Sequence, residues 1–555
     1  MSLHPQTDFD IPDETTRVAR AAFPKGKKNH HGSVYMRMRD ELGTLFRDED
    51  FADLFPRRGQ RAAAPWRLAL VTIMQFTENL TDRQAADAVR ARLDWKYALS
   101  LELEDSGFDF SVLSEFRGRL LGGGAENRLM DRMLELFEEK ELLKATGRQR
   151  TDSTHIIGAV RELNRLEIVG ETLHHVLNVL AQVDPAWLRA QVDEGWFRRY
   201  GERFSDYRLP KPKAERRELA QLIGRDGMHL MERIYADEAP EYLRVLPAVD
   251  VLRRVWVQHF YVGEGRLCWR EQKNFPPSSV MIASPYDLEV RYSQKRSTEW
   301  RGYKVHLTET CEPDAPNFIT HVETTRATDQ DVTAVETIHR GLAKKELLPN
   351  EHLADGAYLS SDVLVDSRHQ HKVEMIGPMR VDKSWQAQDP EAFELAQFTI
   401  DWNAEQVTCP QGKKSYKWSR GRGPRGKPTI QVNFSKQDCS ACEVRTRCTR
   451  SKNNPRGLTL HPRPQHEALE AARERQKTAE FKEQYKMRAG VEGTISQAVF
   501  ALGMRRTRYR GLSKTHLQHV ATSAAINLKR ALAWLDGEPR SGTYRSHFAR
   551  LALAA

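Results

Sequence analysis

Three acidic residues stand at positions where a carboxylate could do chemistry. Asp152 lies in RQRTDSTHIIGAV, a short β-branched stretch that predicts a strand. Asp355 ends HLAD, a second short strand pattern. Glu492 follows Tyr485 and Arg488 at a spacing that puts all three side chains on one helix face. Taken singly, each acid also fits an ordinary role as a strand end, a turn residue or a solvated helix charge.

Acids that converge at the ends of strands in one sheet can bind a hard divalent cation through oxygen ligands. Three such groups could hold two Mg²⁺ (or Mn²⁺) ions about 3.5 to 4 Å apart, and these would assist in-line attack on a phosphodiester. We therefore expect Asp152, Asp355 and Glu492 to be catalytic metal ligands, provided that the fold brings them together.

The elements that would position these acids predict an α/β fold with large helical parts. After the strand with Asp152, helical periodicity continues to about residue 275. Strand alternation then returns around Tyr303 and again over residues 318–325, which predicts two adjacent antiparallel strands. A helix from Asp331, the strand that ends at Asp355, a further helix and a strand at 373–376 follow. This order predicts one mixed sheet interrupted by a helical insertion.

A chain of 555 residues has room for several domains. We divide it into a helical N-terminal DNA-binding domain (1–145), the first core strand (146–160), a helical insertion (161–280), the continued core (281–394), a basic Cys-rich insertion (395–460), C-terminal core helices that carry Glu492 (461–536) and a tail (537–555).

The N-terminal domain has clear helix signals. Pro65 suits a first helical turn, Thr81 with Gln84 forms a capping box, and Ser111 begins a further helix. The succession is similar to a helix-turn-helix arrangement, although a plain helical bundle explains it equally well. The basic residues that could contact phosphate here are Arg83, Arg90, Arg92 and Lys96.

Composition excludes several classes. A mixed composition of 39% hydrophobic and 29% charged residues is not that of a disordered polyelectrolyte. No apolar run reaches the ~20 residues of a membrane span, and the acidic N-terminus does not resemble a secretory signal. Six cysteines in this length form no disulfide framework. We expect a cytoplasmic, nucleoid-associated protein with no membrane partner.

Positive charge is concentrated between Cys409 and Leu460, where thirteen Lys and Arg face two acids. Such a segment suits a polyanion such as nucleic acid, the alternative being a solvated basic loop. Four of its residues, Cys409, Cys439, Cys442 and Cys448, include one C-x2-C pair of regular zinc spacing. We expect a structural Zn²⁺ that replaces the hydrophobic core such a polar segment would lack, the alternative being reduced, unliganded thiols.

TDSTHI around Asp152, ADGAY around Asp355 and the Tyr-x2-Arg-x3-Glu run that ends at Glu492 resemble the DDE transposases of bacterial insertion sequences. The similarity is greatest to the branch with an InsH-type N-terminal domain and a cysteine-bearing insert. The resemblance implies an RNase H-like fold, two metals on the three acids, and contacts from Tyr485 and Arg488 to the backbone of the transposon end.

One position departs from this family pattern, because Val499 stands where a Lys often follows the Glu. A cluster of cations farther along could supply the missing phosphate contact. Its members are Arg505, Arg506, Arg508, Arg510 and Lys514.

The resemblance implies a DNA transposase that frees the 3′ ends of its element by Mg²⁺-dependent hydrolysis and joins them to target DNA. Its partners would be the terminal repeats, the target DNA and a second copy of the chain in a homodimer. Two alternatives stay open: an RNase H-like nuclease without strand transfer, and a catalytically silent DNA-binding regulator derived from a transposase. A glycosidase built on the carboxylates would have no use for the basic insert.

Overall fold

The computed structural model describes residues 2, 3, 5, 9–24, 32–144, 146–423 and 426–538. The tail predicted for 537–555 lies outside the described residues from 539 onwards. The helices are α1 (Asp13–Ala22), α2 (Val34–Leu42), α3 (Pro65–Thr77), α4 (Asp82–Ala91), α5 (Leu93–Ala98), α6 (Ser111–Gly122), α7 (Arg128–Glu139), α8 (Arg165–Val183), α9 (Pro185–Gln191), α10 (Glu194–Tyr200), α11 (Lys213–Tyr235), α12 (Pro247–His259), α13 (Asp331–Ala343), α14 (Ser361–Asp366), α15 (Trp385–Gln388), α16 (Lys436–Ser440), α17 (Arg463–Arg475), α18 (Ala479–Lys486), α19 (Gly490–Ser496) and α20 (Leu512–Leu535). The strands are β1 (Arg148–Ile157), β2 (Phe260–Gly263), β3 (Arg266–Trp269), β4 (Arg291–Lys295), β5 (Thr298–Thr310), β6 (Ile319–Arg326), β7 (Glu351–Ala354), β8 (Glu374–Ile376), β9 (Thr399–Asp401), β10 (Gln406–Thr408), β11 (Lys417–Arg422), β12 (Pro428–Asn433) and β13 (Gly457–Leu460).

The N-terminal helices begin where their capping residues predict. Pro65 occupies the first turn of α3, and the side chains and backbone of Thr81 and Gln84 form the reciprocal capping box of α4. These helices also pack on the far end of the chain, since α3 and α20 share one hydrophobic core. Phe137 of α7 stacks on Phe318 near β6 with ring centroids 4.5 Å apart. The bundle is therefore attached to the central sheet along its length.

A mixed sheet forms the centre of the fold, and the α/β class is as predicted. Its path is β4-β5-β1-β7-β8, with β6 paired along the same β5. The long β5 is antiparallel to β1, β4 and β6, whereas β7 is parallel to both β1 and β8. The predicted antiparallel pair of β5 and β6 is confirmed; the short polar β4 was not predicted. β1, which contains Asp152, and β7, which ends directly before Asp355, are neighbours in the sheet.

The segment between β1 and the rest of the sheet folds around its own core. Helices α8, α11 and α12 supply most of its apolar side chains, among them Val169, Ile223 and Leu252, all fully buried. The helical prediction for this stretch is confirmed for α8 to α12. Its end differs, because Phe260–Gly263 and Arg266–Trp269 form an antiparallel hairpin.

The basic Cys-rich segment was expected to lack a hydrophobic core, and this expectation is wrong. β11, β12 and β13 form a three-stranded antiparallel sheet, and β9 pairs with β10. Val407, Val432, Phe434 and Leu460 are buried between them. β12 and β13 alternate buried apolar residues with exposed ones, and β11 carries Lys and Arg, so a small one-sided core coexists with a basic exterior.

Candidate active site

Sheet pairing sets the positions of the first two acids. Thr151 of β1 lies opposite Ala354 of β7 in a parallel pair, so Asp152 and Asp355 directly follow two paired residues on neighbouring strands. On its other side, Asp152 pairs with Leu307 of β5. Both acids are half-buried. The structure therefore brings together the two strand acids that the sequence singled out.

A tight turn holds Asp355 after its strand. The N–H of Ala357 donates to Asp355 Oδ1 at 2.7 Å, and the N–H of Tyr358 donates to the Asp355 carbonyl at 3.1 Å. Tyr358 is buried, and its hydroxyl lies 2.7 Å from His306 Nδ1 in β5. This buried contact anchors the turn to the sheet. The motif ADGAY contained this tyrosine, but its anchoring role depends on a residue of a distant strand.

Arg488 links the third acid to the first. Its Nη1 donates to Asp152 Oδ2 at 2.8 Å, and its Nη2 donates to Glu492 Oε1 at 2.7 Å. Arg488 lies in a short 3-10 turn between α18 and α19, and Glu492 lies in the first turn of α19. The side chain of Glu492 is 62% exposed, on the same side of the fold as Asp152. As predicted, Arg488 and Glu492 lie on the same side of this helical segment.

The electrostatics follow from this bridge. Burial raises the pKa of Asp152, and the nearby Asp355 adds to this, while the Ser153 N–H and Arg488 lower it. Burial lowers the pKa of Arg488, but Asp152, Tyr485 and Glu492 outweigh it, so that its pKa is raised overall. The neighbouring acidic groups thus keep the Arg488 guanidinium charged although it is partly buried.

Tyr485 lies in the same group but is turned towards the protein. Its ring stacks on Phe481 with centroids 5.7 Å apart, and the Arg488 guanidinium lies 5.8 Å from its ring centre. Burial, more than the adjacent acids, raises the pKa of its hydroxyl. Tyr485 therefore supports Arg488 from one side, and a contact with the DNA backbone stays a prediction.

The donor chemistry of the three acids fits a hard divalent cation, since all are carboxylates and a positive charge is already bound among them. Within the described ranges, however, no group of three or more His, Cys, Asp or Glu side chains is arranged so that it could hold a metal ion. The guanidinium of Arg488 lies between Asp152 and Glu492. Metal binding would require these two carboxylates to exchange Arg488 for the ion.

The cationic loop after α19 divides into two groups. Arg505 donates to Thr154 Oγ1 at 2.9 Å in β1, and Arg508 donates to Asn79 and to the Leu80 carbonyl of the N-terminal bundle. These two side chains serve internal contacts. The other three members, Arg506, Arg510 and Lys514, are exposed.

Val499 is only 7% exposed, in a π-helical turn that follows α19. Its position faces the interior, where a lysine would be buried, so burial explains why this chain lacks a cation there.

Two of the four basic residues that we expected to contact DNA from the N-terminal domain instead make contacts inside that domain. Arg92 pairs with Glu78 and Asp94, at 2.6 and 2.8 Å. Lys96 is buried and donates to the Asp105 carbonyl at 2.7 Å. Arg83 and Arg90 lie at the surface.

The four cysteines of the insert line one cavity, next to Phe434 and Arg456. All four are free thiols of intermediate exposure. Burial raises the pKa of Cys448 to about 11, Arg456 lowers it, and the three other cysteines raise it further. Cys409 lies in a tight turn, in which its N–H donates to the Lys413 carbonyl at 2.8 Å.

Comparison with known families gives matches towards both ends of the chain. A model described as "Transposase DDE domain" matches residues 408–532, and one described as "Transposase domain (DUF772)" matches residues 25–119. The chain carries the domains of a DDE transposase. The first match contains Glu492 and the four cysteines of the insert but neither Asp152 nor Asp355, and the catalytic role of the three acids stays a prediction. A search of the curated proteins finds no match.

No described helix of the transposase combines the length and the apolar character that crossing a bilayer requires.

Proposed function

We propose that this transposase hydrolyses one phosphodiester at each end of its element and then transfers the freed 3′-OH to target DNA. In the first step the water oxygen bonds to phosphorus and the 3′ oxygen leaves. In the second the 3′ oxygen bonds to a target phosphorus and displaces a target 3′ oxygen. No bond to the protein forms. The observation that supports this most strongly is the placement of Asp152 and Asp355 on neighbouring strands, with Arg488 bound to both Asp152 and Glu492.

In this proposal the core is RNase H-like, and Asp152, Asp355 and Glu492 would hold Mg²⁺ or Mn²⁺. The metal would lower the pKa of the attacking water and offset charge on the leaving oxygen. Arg488, once released by the acids, would be free to bind a DNA phosphate, a ligand that guanidinium groups favour. Arg506, Arg510 and Lys514 would hold the DNA backbone, because their side chains are exposed. A homodimer would join the two ends.

We also propose that Cys409, Cys439, Cys442 and Cys448 bind one Zn²⁺. Their common cavity and their free thiols support this. Zinc binding would require the four thiols to move closer together, since no group of three or more Cys side chains in the described ranges is arranged to hold an ion. Since the insert has its own apolar core, the metal would fix the turn at Cys409 relative to α16 and would not be the main source of folding energy.

A strand-transfer assay tests the main proposal. The substrate is a duplex that ends in the terminal repeat found beside the gene, incubated with plasmid target and Mg²⁺. We expect cleaved and joined products from the unmodified protein and neither from Asp152→Asn. Asp366→Asn, which changes an exposed acid on α14, is the matched control and should be fully active.

The two alternatives give other results in the same assay. Cleavage without joined product would favour a nuclease. DNA binding without any Mg²⁺-dependent product from the unmodified protein would favour a silent regulator. Either outcome would overturn the proposed reaction.

A further inference from the structure

A carboxylate outside the predicted site is fully buried close to it. Glu309 of β5 is 0% exposed. Its Oε1 accepts from Arg150 Nε at 2.7 Å, and its Oε2 accepts from Thr494 Oγ1 at 2.5 Å and from Arg530 Nη1 at 2.8 Å. A buried charge is tolerated only with partners of this kind. These four residues are called here the Glu309 cluster.

Two partners of Glu309 come from segments that carry site residues. Arg150 precedes Asp152 by two residues in β1, and Thr494 follows Glu492 by two residues in α19. Arg150 also donates to the carbonyl of Met487, next to Arg488, at 2.6 Å. The cluster therefore ties the strand with the first acid to the helix with the third.

Arg530 completes the connection from α20. Its Nη2 donates to Thr494 Oγ1 at 2.6 Å and to Gln497 Oε1 at 3.2 Å, so Arg530 holds the C-terminal half of α19 and the turn after it. Close packing adds to the hydrogen bonds, because a Cβ on Gly490 would overlap the guanidinium of Arg150. The first residue of α19 can approach β1 this closely only as glycine.

We propose that the Glu309 cluster is a positioning device that sets where Glu492 and Arg488 stand relative to Asp152, and thereby tunes the affinity of the acids for a divalent ion. This rests on the proposed function. Thr494 is its adjustable member, because its hydroxyl both donates to Glu309 and accepts from Arg530. Groups that orient metal ligands from behind typically change metal affinity by 10–100-fold when removed.

The test measures Mn²⁺ binding to the full chain by electron paramagnetic resonance of free Mn²⁺. Thr494→Val keeps the shape and removes the hydroxyl; we expect about tenfold weaker binding at the site. Thr494→Ser keeps the hydroxyl and should bind Mn²⁺ as the unmodified protein does. If only the packing of the threonine methyl group mattered, Thr494→Ser would bind Mn²⁺ more weakly. Thr172→Val is the matched control, since Thr172 is a buried helical threonine of the insertion that bonds only its own helix.

Each outcome is decisive. Equal Mn²⁺ binding by the unmodified protein and by Asp152→Asn would overturn the proposed function itself. Binding that Asp152→Asn abolishes but Thr494→Val leaves unchanged would overturn only the positioning role, as would an equal loss in Thr172→Val. If Thr494→Val does not fold, Thr494→Ala, which removes the same hydroxyl without forcing a methyl against Glu309, replaces it and is read in the same way.

Discussion

Arg488 and Asp152, which are 336 residues apart in the chain, are joined by a 2.8 Å hydrogen bond between side chains that are only 15% and 16% exposed. Burial raises the pKa of Asp152, and the bond from Arg488 offsets part of this rise. In the absence of metal and DNA, Arg488 thus serves as the counter-ion of Asp152. In the proposed function Arg488 would have a second state, released from the acids and bound to phosphate.

Replacing Arg488 by Gln should show whether its guanidinium and a metal ion compete for the same carboxylates. Without metal, we expect the free energy of unfolding to fall by about 2 kcal/mol, because a hydrogen-bonded charge loses its partner. Added Mg²⁺ should then stabilise the variant more than it stabilises the unmodified protein, since no guanidinium competes for the acids. Thermal unfolding with and without Mg²⁺ measures both effects. Arg340→Gln removes an exposed helical pair with Glu336 and should change neither.

Two glycines of α19 should respond in opposite ways to alanine. Gly490→Ala places a methyl group against the Arg150 guanidinium, and we expect a loss of about 1 to 3 kcal/mol in unfolding free energy together with lower cleavage activity. Gly493 has open space around its Cα, so Gly493→Ala should be neutral or slightly stabilising. Urea unfolding compares the two. Equal effects would mean that the approach of α19 to β1 is not critical.

Buried histidines should make the fold sensitive to acid. Burial lowers the pKa of His339 to about 2, of His519 to about 3 and of His352 to about 4. With folded pKa values below the unfolded 6.5, the unfolded chain binds protons first as the pH falls. Stability is therefore complete above pH 6.5 and declines as the pH falls below it, until each histidine is protonated in the folded state as well, at about pH 4 for His352, 3 for His519 and 2 for His339.

The measurement is the free energy of unfolding at pH 7.5 and 5.5. We expect a decrease of about 1 kcal/mol for each buried histidine that titrates only in the unfolded state. His519→Gln should lessen the pH dependence, and His369→Gln, at an exposed position, should leave it as it is. A stability that is flat across this range would contradict the burial of neutral imidazoles.

The zinc proposal is tested by metal analysis of the purified full chain. We expect about one zinc per chain, lost in Cys442→Ser and retained in Cys268→Ser, whose thiol lies in β3 outside the insert. Less than about 0.2 zinc per chain in protein isolated without chelators, or equal zinc in the two variants, would rule the site out.

The sequence predicted those parts of the fold that have strong local signals. The β-branched run around Asp152, the capping box at Thr81 and the apolar stripe of α13 all specify their elements locally, and the structure has them. Missed strands such as β4 and β11 are short and rich in charge. They exist because a partner strand and a small core stabilise them, which no local pattern reveals.

The site was predicted only in its outline. Periodicity suggested that Arg488 and Glu492 share a helix face, but nothing in the sequence pairs Arg488 with Asp152. Glu309 was missed because β5 carries other charged residues, such as Arg301 and Lys304, and no local pattern marks Glu309 as the buried one. Its partners come from three other elements, so only the assembled fold identifies them.

The most direct test of the central claim is to locate the bound divalent ion by iron-mediated backbone cleavage. Fe²⁺ replaces Mg²⁺, and ascorbate with peroxide then generates radicals that cut the chain beside the ion. We expect fragments that end near Asp152, Asp355 and Glu492, all suppressed by excess Mg²⁺ and by Asp152→Asn. Cuts near only one of these residues, or only between Cys409 and Cys448, would contradict a site shared by the three acids.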